Sequence, residues 1–107
     1  MVQQTIEELY IQVLERKKNP QEGSYTNYLY QKGLDKILKK VGEESTEVIL
    51  GAKNNKEELI YEASDLLFHL MVLLVEKGVT FNDIKDELGS RLGQKSLLHE
   101  RKDWRGE

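Results

Sequence analysis

Residues 34–77 decide the fold, and they read L-D-K-I-L-K-K-V-G-E-E-S-T-E-V-I-L-G-A-K-N-N-K-E-E-L-I-Y-E-A-S-D-L-L-F-H-L-M-V-L-L-V-E-K. In the first half, apolar residues lie within about 120° of one another on a helical projection, which predicts an amphipathic helix. These residues are Leu34, Ile37, Leu38, Val41, Val48, Ile49 and Ala52. Asn54 marks a turn, and Asn55 is the predicted N-cap, three residues before Glu58. From about residue 56 to residue 77, a second and more apolar helix is predicted at the centre of the fold.

The sequence on both sides of this segment also has a helical period. Thr5 and Glu8 have the form of a capping box, and Pro20 excludes continuation of that helix much beyond Lys18. A polar loop is predicted at 19–25, followed by a short helix from about Thr26 to Lys32 that ends before Gly33. A last helix is predicted with Thr80 as its N-cap, and its apolar positions are Phe81, Ile84, Leu88 and Leu92. Residues 93–107 have weak periodicity and are interpreted as a mobile C-terminal tail. The predicted class is all-α, a helical bundle in one domain spanning residues 1–107.

Charge and cysteine content exclude several classes of protein. The chain has 16 basic and 19 acidic side chains and a net charge of −3, whereas a general nucleic-acid binder is normally basic. It has no cysteine, so a disulfide framework, a thiolate nucleophile and a zinc–thiolate site are all excluded. No nucleic-acid partner is therefore expected.

Length and hydropathy predict an oligomeric cytoplasmic protein. A chain of 107 residues gains little margin from its own core, and without disulfides a homodimer or a dimer-based oligomer is the expected supplement. The longest apolar run, 66–75, is too short to cross a membrane and contains His69. The N-terminus also lacks the features of a signal peptide, so no membrane partner is expected.

The acidic residues of the two central helices carry the chemistry. Glu44 and Glu47 are three residues apart, as are Glu62 and Asp65, and His69 follows Asp65 by four. Each pair therefore lies on one helix surface. Glu44 flanks the apolar stripe of its helix while Glu47 points away from it, and Glu62 and Asp65 lie at the edge of a strongly apolar surface. If the helices face each other, the carboxylates concentrate negative charge in one cleft. A hard divalent cation, Mg²⁺ or Mn²⁺, is the simplest compensation for oxygen ligands of this kind.

A second interpretation of the same acids is a solvated helix surface. Lys36 and Lys40 share a face with Glu43 and its neighbours, so salt bridges could satisfy the acids of the first helix. Glu62 and Asp65 have no Lys or Arg three or four residues away, which favours a metal. Spacing alone leaves both interpretations open.

The motif Glu44-x-x-Glu47, followed by Glu62-x-x-Asp65, resembles the signature of the all-α nucleoside triphosphate pyrophosphohydrolases. The segments 24–54 and 58–74 resemble most closely the phosphoribosyl-ATP pyrophosphatase family of histidine biosynthesis. The resemblance extends over about residues 5–92.

This resemblance implies a Mg²⁺-dependent reaction, with Mn²⁺ as a possible substitute, in which phosphoribosyl-ATP and water give phosphoribosyl-AMP and pyrophosphate. It implies Glu44, Glu47, Glu62 and Asp65 as metal ligands, and Glu43 as a further ligand or a water-orienting group. The implied catalytic residues are Glu43, Glu44 and Glu47. The expected contacts to the polyanionic nucleotide are Lys36, Lys40, Lys53, Ser24, Tyr25 and Thr26, although the segment 24–26 could instead cap the next helix. His69 is expected to support the site.

Two rival functions remain open, the first using the same four acids and the second leaving them merely solvated. One is a house-cleaning pyrophosphohydrolase for ordinary or damaged nucleoside triphosphates, and the other is a non-enzymatic helical dimerisation module. The segments S-Y-T at 24–26 and K-K-V-G-E-E at 39–44 favour the phosphoribosyl-ATP enzyme over the first rival. A short chain without cysteine is also expected to be the stand-alone form, without the metal-binding cyclohydrolase domain to which this enzyme is fused in some organisms.

Overall fold

The computed structural model describes residues 1–93 and contains five α-helices in that range. They are α1 Ile6–Lys18, α2 Tyr25–Lys32, α3 Leu34–Asn54, α4 Lys56–Glu76 and α5 Phe81–Ser90. No strand occurs among these 93 residues, so the prediction of an all-α fold is confirmed. The predicted mobile tail lies, except for Gly93, outside the described residues. None of the described helices is both long and apolar enough to cross a bilayer.

Local hydrogen bonds fix the helix ends that the sequence predicts. Thr5 forms a complete capping box with Glu8 at the start of α1, and Thr80 forms another with Asp83 at the start of α5. The Asn55 side chain accepts the Glu58 backbone N–H at 2.8 Å and begins α4. Asn55 is the one residue between α3 and α4, so the two helices form a tight hairpin.

Two helix boundaries differ slightly from the prediction. Helix α2 begins at Tyr25 rather than Thr26, because Ser24 is its N-cap and accepts the Asn27 N–H at 3.2 Å. Helix α5 ends at Ser90 rather than continuing to Leu92. The backbone N–H groups of Arg91 and Leu92 bond three residues back, to Leu88 and Gly89, so the chain tightens into a turn there.

Helix α4 is the centre of the bundle and packs against α3, α1 and α2. The buried apolar side chains are Tyr10, Val13, Leu29, Ile37, Met71, Val72 and Val75, which come from all four of these helices. Two tyrosine hydroxyls meet backbone carbonyls at the edge of this core, Tyr10 with Val79 and Tyr30 with Val13, each at 2.8 Å. The prediction that the helix from about residue 56 to residue 77 lies at the centre of the fold is confirmed.

The closest approach of α3 and α4 is at Gly51, near their junction. Gly51 is buried, and a Cβ atom there would lie 3.2 Å from the carbonyl carbon and oxygen of Glu58 and 3.3 Å from the nitrogen of Leu59. These neighbours are backbone atoms that cannot rotate away. Glycine therefore allows the first turn of α4 to lie directly against α3.

The apolar stripe of α3 is buried only in part within one chain. Ile37 is fully buried, whereas Ile49 is 65% exposed and Ala52 is also exposed. The apolar stripe that the sequence indicates is therefore left uncovered at this end of the helix by residues 1–93. The reason is that α4 packs on the Gly51 side of α3, which leaves Ile49 facing outwards.

Candidate active site

The α3–α4 hairpin brings the predicted acids of both helices together. Glu44 is only 7% exposed, on the side of α3 that faces α4. One carboxylate oxygen of Glu44, one of Asp65 and one ring nitrogen of His69 all lie within 4.8 Å of one another. A helical spacing on each helix and a short connection are sufficient to produce this convergence.

Glu47 and Glu62 complete the group of acids. The charge of Glu47 acts on the carboxyl group of Glu62. Loss of solvent around Glu62, and then the negative charges of Glu47, Glu44 and Asp65, raise the pKa of Glu62. Glu62 therefore lies within electrostatic range of the other three predicted ligands, and we call Glu44, Glu47, Glu62 and Asp65 the acid cluster.

Lys40 provides a positive charge at this cluster. Its Nζ lies 3.3 Å from Glu44 Oε1 and 3.5 Å from Glu43 Oε1. Burial alone would lower the pKa of Lys40, but the hydrogen bond to Glu44 and the neighbouring negative charges raise it overall. Within residues 1–93, Glu47 and Glu62 have no ion pair, so the cluster retains uncompensated negative charge.

Tyr25 also reaches the cluster. Its hydroxyl oxygen lies 3.0 Å from His69 Nε2, and its ring packs against Tyr28 and Phe68 with centroids 6.0 Å and 5.9 Å away. Partial burial raises the pKa of Tyr25, the charge of Lys40 lowers it, and the charge of Asp65 raises it. The sequence motif indicated Tyr25. It gave no signal for the hydrogen bond to His69 or for the contact with Phe68, because both of these residues lie about forty positions away on another helix.

The other predicted substrate contacts are placed less closely. Ser24 is the N-cap of α2, which is the role given by the alternative interpretation. Thr26 is half-buried, and its side chain makes no hydrogen bond among the described residues. Lys36 is one turn before Lys40 on α3, without an ion pair in residues 1–93. Lys53 is exposed and lies about 14 Å along the helix axis from Glu44, so the structure does not bring it to the cluster.

The donor set of the cluster fits a hard divalent cation. Glu44 and Asp65 bring carboxylate oxygens within 4.8 Å of each other, and Glu47 and Glu62 add negative charge beside them that such a cation would neutralise. His69 is near enough to be a ligand, but both of its ring nitrogens already face hydrogen-bond partners: Nδ1 lies 2.8 Å from the Asp65 carbonyl oxygen, and Nε2 faces Tyr25. Glu44, Asp65 and His69 could hold a metal by distance, and His69 would have to give up one of these hydrogen bonds to do so.

Known proteins resemble this chain over nearly its whole length. The phosphoribosyl-ATP pyrophosphatase of Leuconostoc mesenteroides is 87% identical over 107 residues, which is 100% of this chain and 94% of that protein. The phosphoribosyl-ATP pyrophosphatase of Limosilactobacillus fermentum is 64% identical over 99 residues, 92% of this chain and 93% of that protein. The histidine biosynthesis bifunctional protein HisIE of Caldanaerobacter subterraneus is 62% identical over 87 residues, 80% of this chain but 42% of that longer protein.

A family-level comparison agrees with these relatives. The family described as phosphoribosyl-ATP pyrophosphohydrolase matches residues 6–91, which include all five helices and the acid cluster. The chain therefore belongs to the phosphoribosyl-ATP pyrophosphohydrolase family.

Proposed function

We propose that this chain hydrolyses phosphoribosyl-ATP to phosphoribosyl-AMP and pyrophosphate, the second step of histidine biosynthesis. The observation that carries the proposal is the approach of Glu44 on α3 to Asp65 and His69 on α4, within the segment matched by the family. Relatives named for this activity align with essentially the whole chain, which favours it over a house-cleaning pyrophosphohydrolase. They also favour an enzyme over a dimerisation module.

We assign Glu44, Glu47, Glu62 and Asp65 as the residues that would hold Mg²⁺, with Mn²⁺ as a substitute. When bound, the cation supplies charge neutralisation for the phosphates and lowers the pKa of a coordinated water. The packing of α3 against α4 holds these carboxylates close to one another, independently of the ion. Little rearrangement of α3 and α4 is then needed on binding.

The reaction requires a proton acceptor and a cationic contact as well as the ligands. The oxygen of water forms a bond to phosphorus, the anhydride P–O bond breaks, and pyrophosphate leaves. We assign the proton from water to Glu43, a carboxylate outside the ligand set whose side chain is 49% exposed beside the cluster. Lys40 is the cation best placed to contact the phosphates.

Pyrophosphate release from phosphoribosyl-ATP, with and without Mg²⁺, tests the proposed function. We expect release that depends on Mg²⁺ and a much lower kcat/KM for ATP, GTP and pyrimidine triphosphates. A folded protein that hydrolyses the common triphosphates efficiently but leaves phosphoribosyl-ATP intact would instead support the house-cleaning function.

Replacing Lys40 with Gln is expected to raise the KM for phosphoribosyl-ATP about tenfold, the effect of losing one charge-assisted contact. The same change should not weaken Mn²⁺ binding, since it removes a positive charge from beside the ligands. Lys39→Gln is the matched control, because Lys39 is the adjacent, exposed lysine of α3. Steady-state kinetics and titration with Mn²⁺ measure the two effects. If Lys40→Gln had the same KM as the wild type, Lys40 would not contact the phosphates and would serve only to neutralise Glu43 and Glu44.

We also propose that the enzyme is a cytoplasmic homodimer. Support comes from large apolar side chains that remain exposed around the α3–α4 junction, where Ile49 is 65%, Ile60 57% and Tyr61 70% exposed. Burying these side chains against a second copy of the chain would remove apolar surface from water. Light scattering that gives the mass of a single chain would contradict this assembly.

A further inference from the structure

His69 is buried at the centre of the site, and both of its ring nitrogens face defined partners. The side chain of this α4 residue is almost completely inaccessible to solvent. Nδ1 lies 2.8 Å from the Asp65 carbonyl oxygen, and Nε2 lies 3.0 Å from the Tyr25 hydroxyl oxygen. The Asp65 carboxylate is more distant, with Oδ1 3.5 Å from Nδ1.

These contacts determine which groups donate. A backbone carbonyl can only accept, so Nδ1 of His69 carries a hydrogen. In the neutral imidazole, Nε2 then holds a lone pair and accepts the hydrogen of the Tyr25 hydroxyl. A hydroxyl has only one hydrogen to donate. Tyr25 is therefore left with lone pairs, and it can serve the rest of the site only as an acceptor.

Lys40 lies in the same part of the site, because its Nζ is 3.3 Å from Glu44 Oε1, and a carboxylate oxygen of Glu44 lies within 4.8 Å of a ring nitrogen of His69. The charge of Lys40 acts on Tyr25, and Tyr25 in turn helps to raise the pKa of Lys40. A phosphate oxygen is also only an acceptor, so it gains nothing from a hydroxyl without a free hydrogen. The lone pairs of Tyr25 suit the Lys40 ammonium group, which has three hydrogens to donate.

We propose that His69 is a positioning residue that orients the Tyr25 hydroxyl as an acceptor for Lys40, and that it is not a metal ligand. This proposal rests on the proposed function, because the group that is positioned, Lys40, is the one assigned to the phosphates. The ring of Tyr25 is held independently by Tyr28 and Phe68. Tyr25→Phe should therefore remove the hydroxyl while preserving the packing.

The hydrogen positions can be tested without any activity measurement. In the metal-free wild-type protein, long-range ¹H–¹⁵N NMR of the imidazole should show the hydrogen of His69 on Nδ1. The chemical shifts of the ring nitrogens should stay the same when Mg²⁺ saturates the site. A hydrogen on Nε2 alone, or direct perturbation of a ring nitrogen by Mn²⁺ at ligand distance, would overturn the proposal.

Two substitutions separate the two hydrogen bonds of His69. His69→Gln can place an amide oxygen near the position of Nε2 and still accept from Tyr25, whereas His69→Asn can replace only the donor to Asp65. We expect Tyr25→Phe and His69→Asn each to raise the KM about fivefold with little change in kcat. His69→Gln should stay within about threefold of wild type. Adding Tyr25→Phe to Lys40→Gln should raise the KM no further, since the two residues act as one unit.

The outcomes distinguish this proposal from the proposed function. Mn²⁺ affinity should be unchanged in Tyr25→Phe and in both His69 variants, and a loss of affinity in both His69 variants would identify His69 as a ligand. Circular dichroism and thermal melting check that the variants fold, and Tyr25→Phe remains informative if the buried His69 variants do not. If the wild type is active and Tyr25→Phe has the same KM as the wild type, the proposed positioning role of His69 is wrong. If the wild type does not hydrolyse phosphoribosyl-ATP at all, the result contradicts the proposed function and not the positioning role of His69.

Discussion

Glu44→Gln is expected to lower Mg²⁺-dependent pyrophosphate release from phosphoribosyl-ATP by at least about a hundredfold, a loss typical of a residue that stabilises charge in the transition state. Glu44 is the most buried acid of the site and lies between Lys40 and the acids of α4. Gln preserves the shape of the side chain but removes its negative charge. The measurement is kcat/KM at saturating Mg²⁺, together with the affinity for Mn²⁺.

Thermal melting gives an independent measure of the same substitution. A cation that binds only the folded protein raises the melting temperature of the wild type with concentration, and Glu44→Gln should lose most of that increase. Glu57→Gln is a suitable control because Glu57 is an exposed acid in the first turn of α4. If Glu44→Gln retained both the activity and the response to Mg²⁺, the acid cluster would not be the metal site.

Gly51→Val is expected to lower the free energy of unfolding by about 2–3 kcal/mol, the cost of inserting a side chain into a tightly packed position. The new Cβ would meet backbone atoms of Glu58 and Leu59 at 3.2–3.3 Å, and the additional methyl groups of Val would force α3 and α4 apart. For a domain of this size, that loss corresponds to a decrease of roughly 10–20 °C in melting temperature. Urea denaturation followed by circular dichroism measures it.

Gly42→Ala provides the matched control within the same helix. A Cβ atom at Gly42 would have no neighbour within 4 Å, so only the helix propensity changes. This variant should be more stable than wild type by about 0.5–1 kcal/mol. Equal stabilities of Gly51→Val and wild type would show that the two helices separate at this point without cost.

Most of the fold was predictable because helix ends depend on nearby residues. The capping boxes at Thr5 and Thr80 and the N-cap at Asn55 each need only a side chain and a backbone N–H three residues away. The periodic apolar residues then indicated the faces that pack. The boundaries that differ, at Tyr25 and Ser90, are ends where a cap or a tightened turn moves the helix by one or two residues.

The site was predictable to the extent that it is periodic. Spacing placed Glu44 and Glu47 on one face, and Glu62 and Asp65 on another, but it could not supply the distance between helices. The sequence also gave no signal that the Tyr25 hydroxyl meets the His69 ring, because that contact joins residues 44 positions apart on different helices. The exposure of Ile49 was missed for a related reason: periodicity identifies an apolar stripe but not which part of it another element covers.

The one-residue connection between α3 and α4 has a consequence for how the enzyme folds. The four acids all lie between positions 44 and 65, so their contacts have a low contact order and cost little loop-closure entropy. We expect the hairpin to form early, while α1 and α5 are still undocked. Like charges oppose that early pairing, and a divalent cation in the surrounding solution would offset the repulsion. The four proposed metal ligands are thus encoded within one short, contiguous stretch of the chain, so they approach one another before the distant segments pack around them.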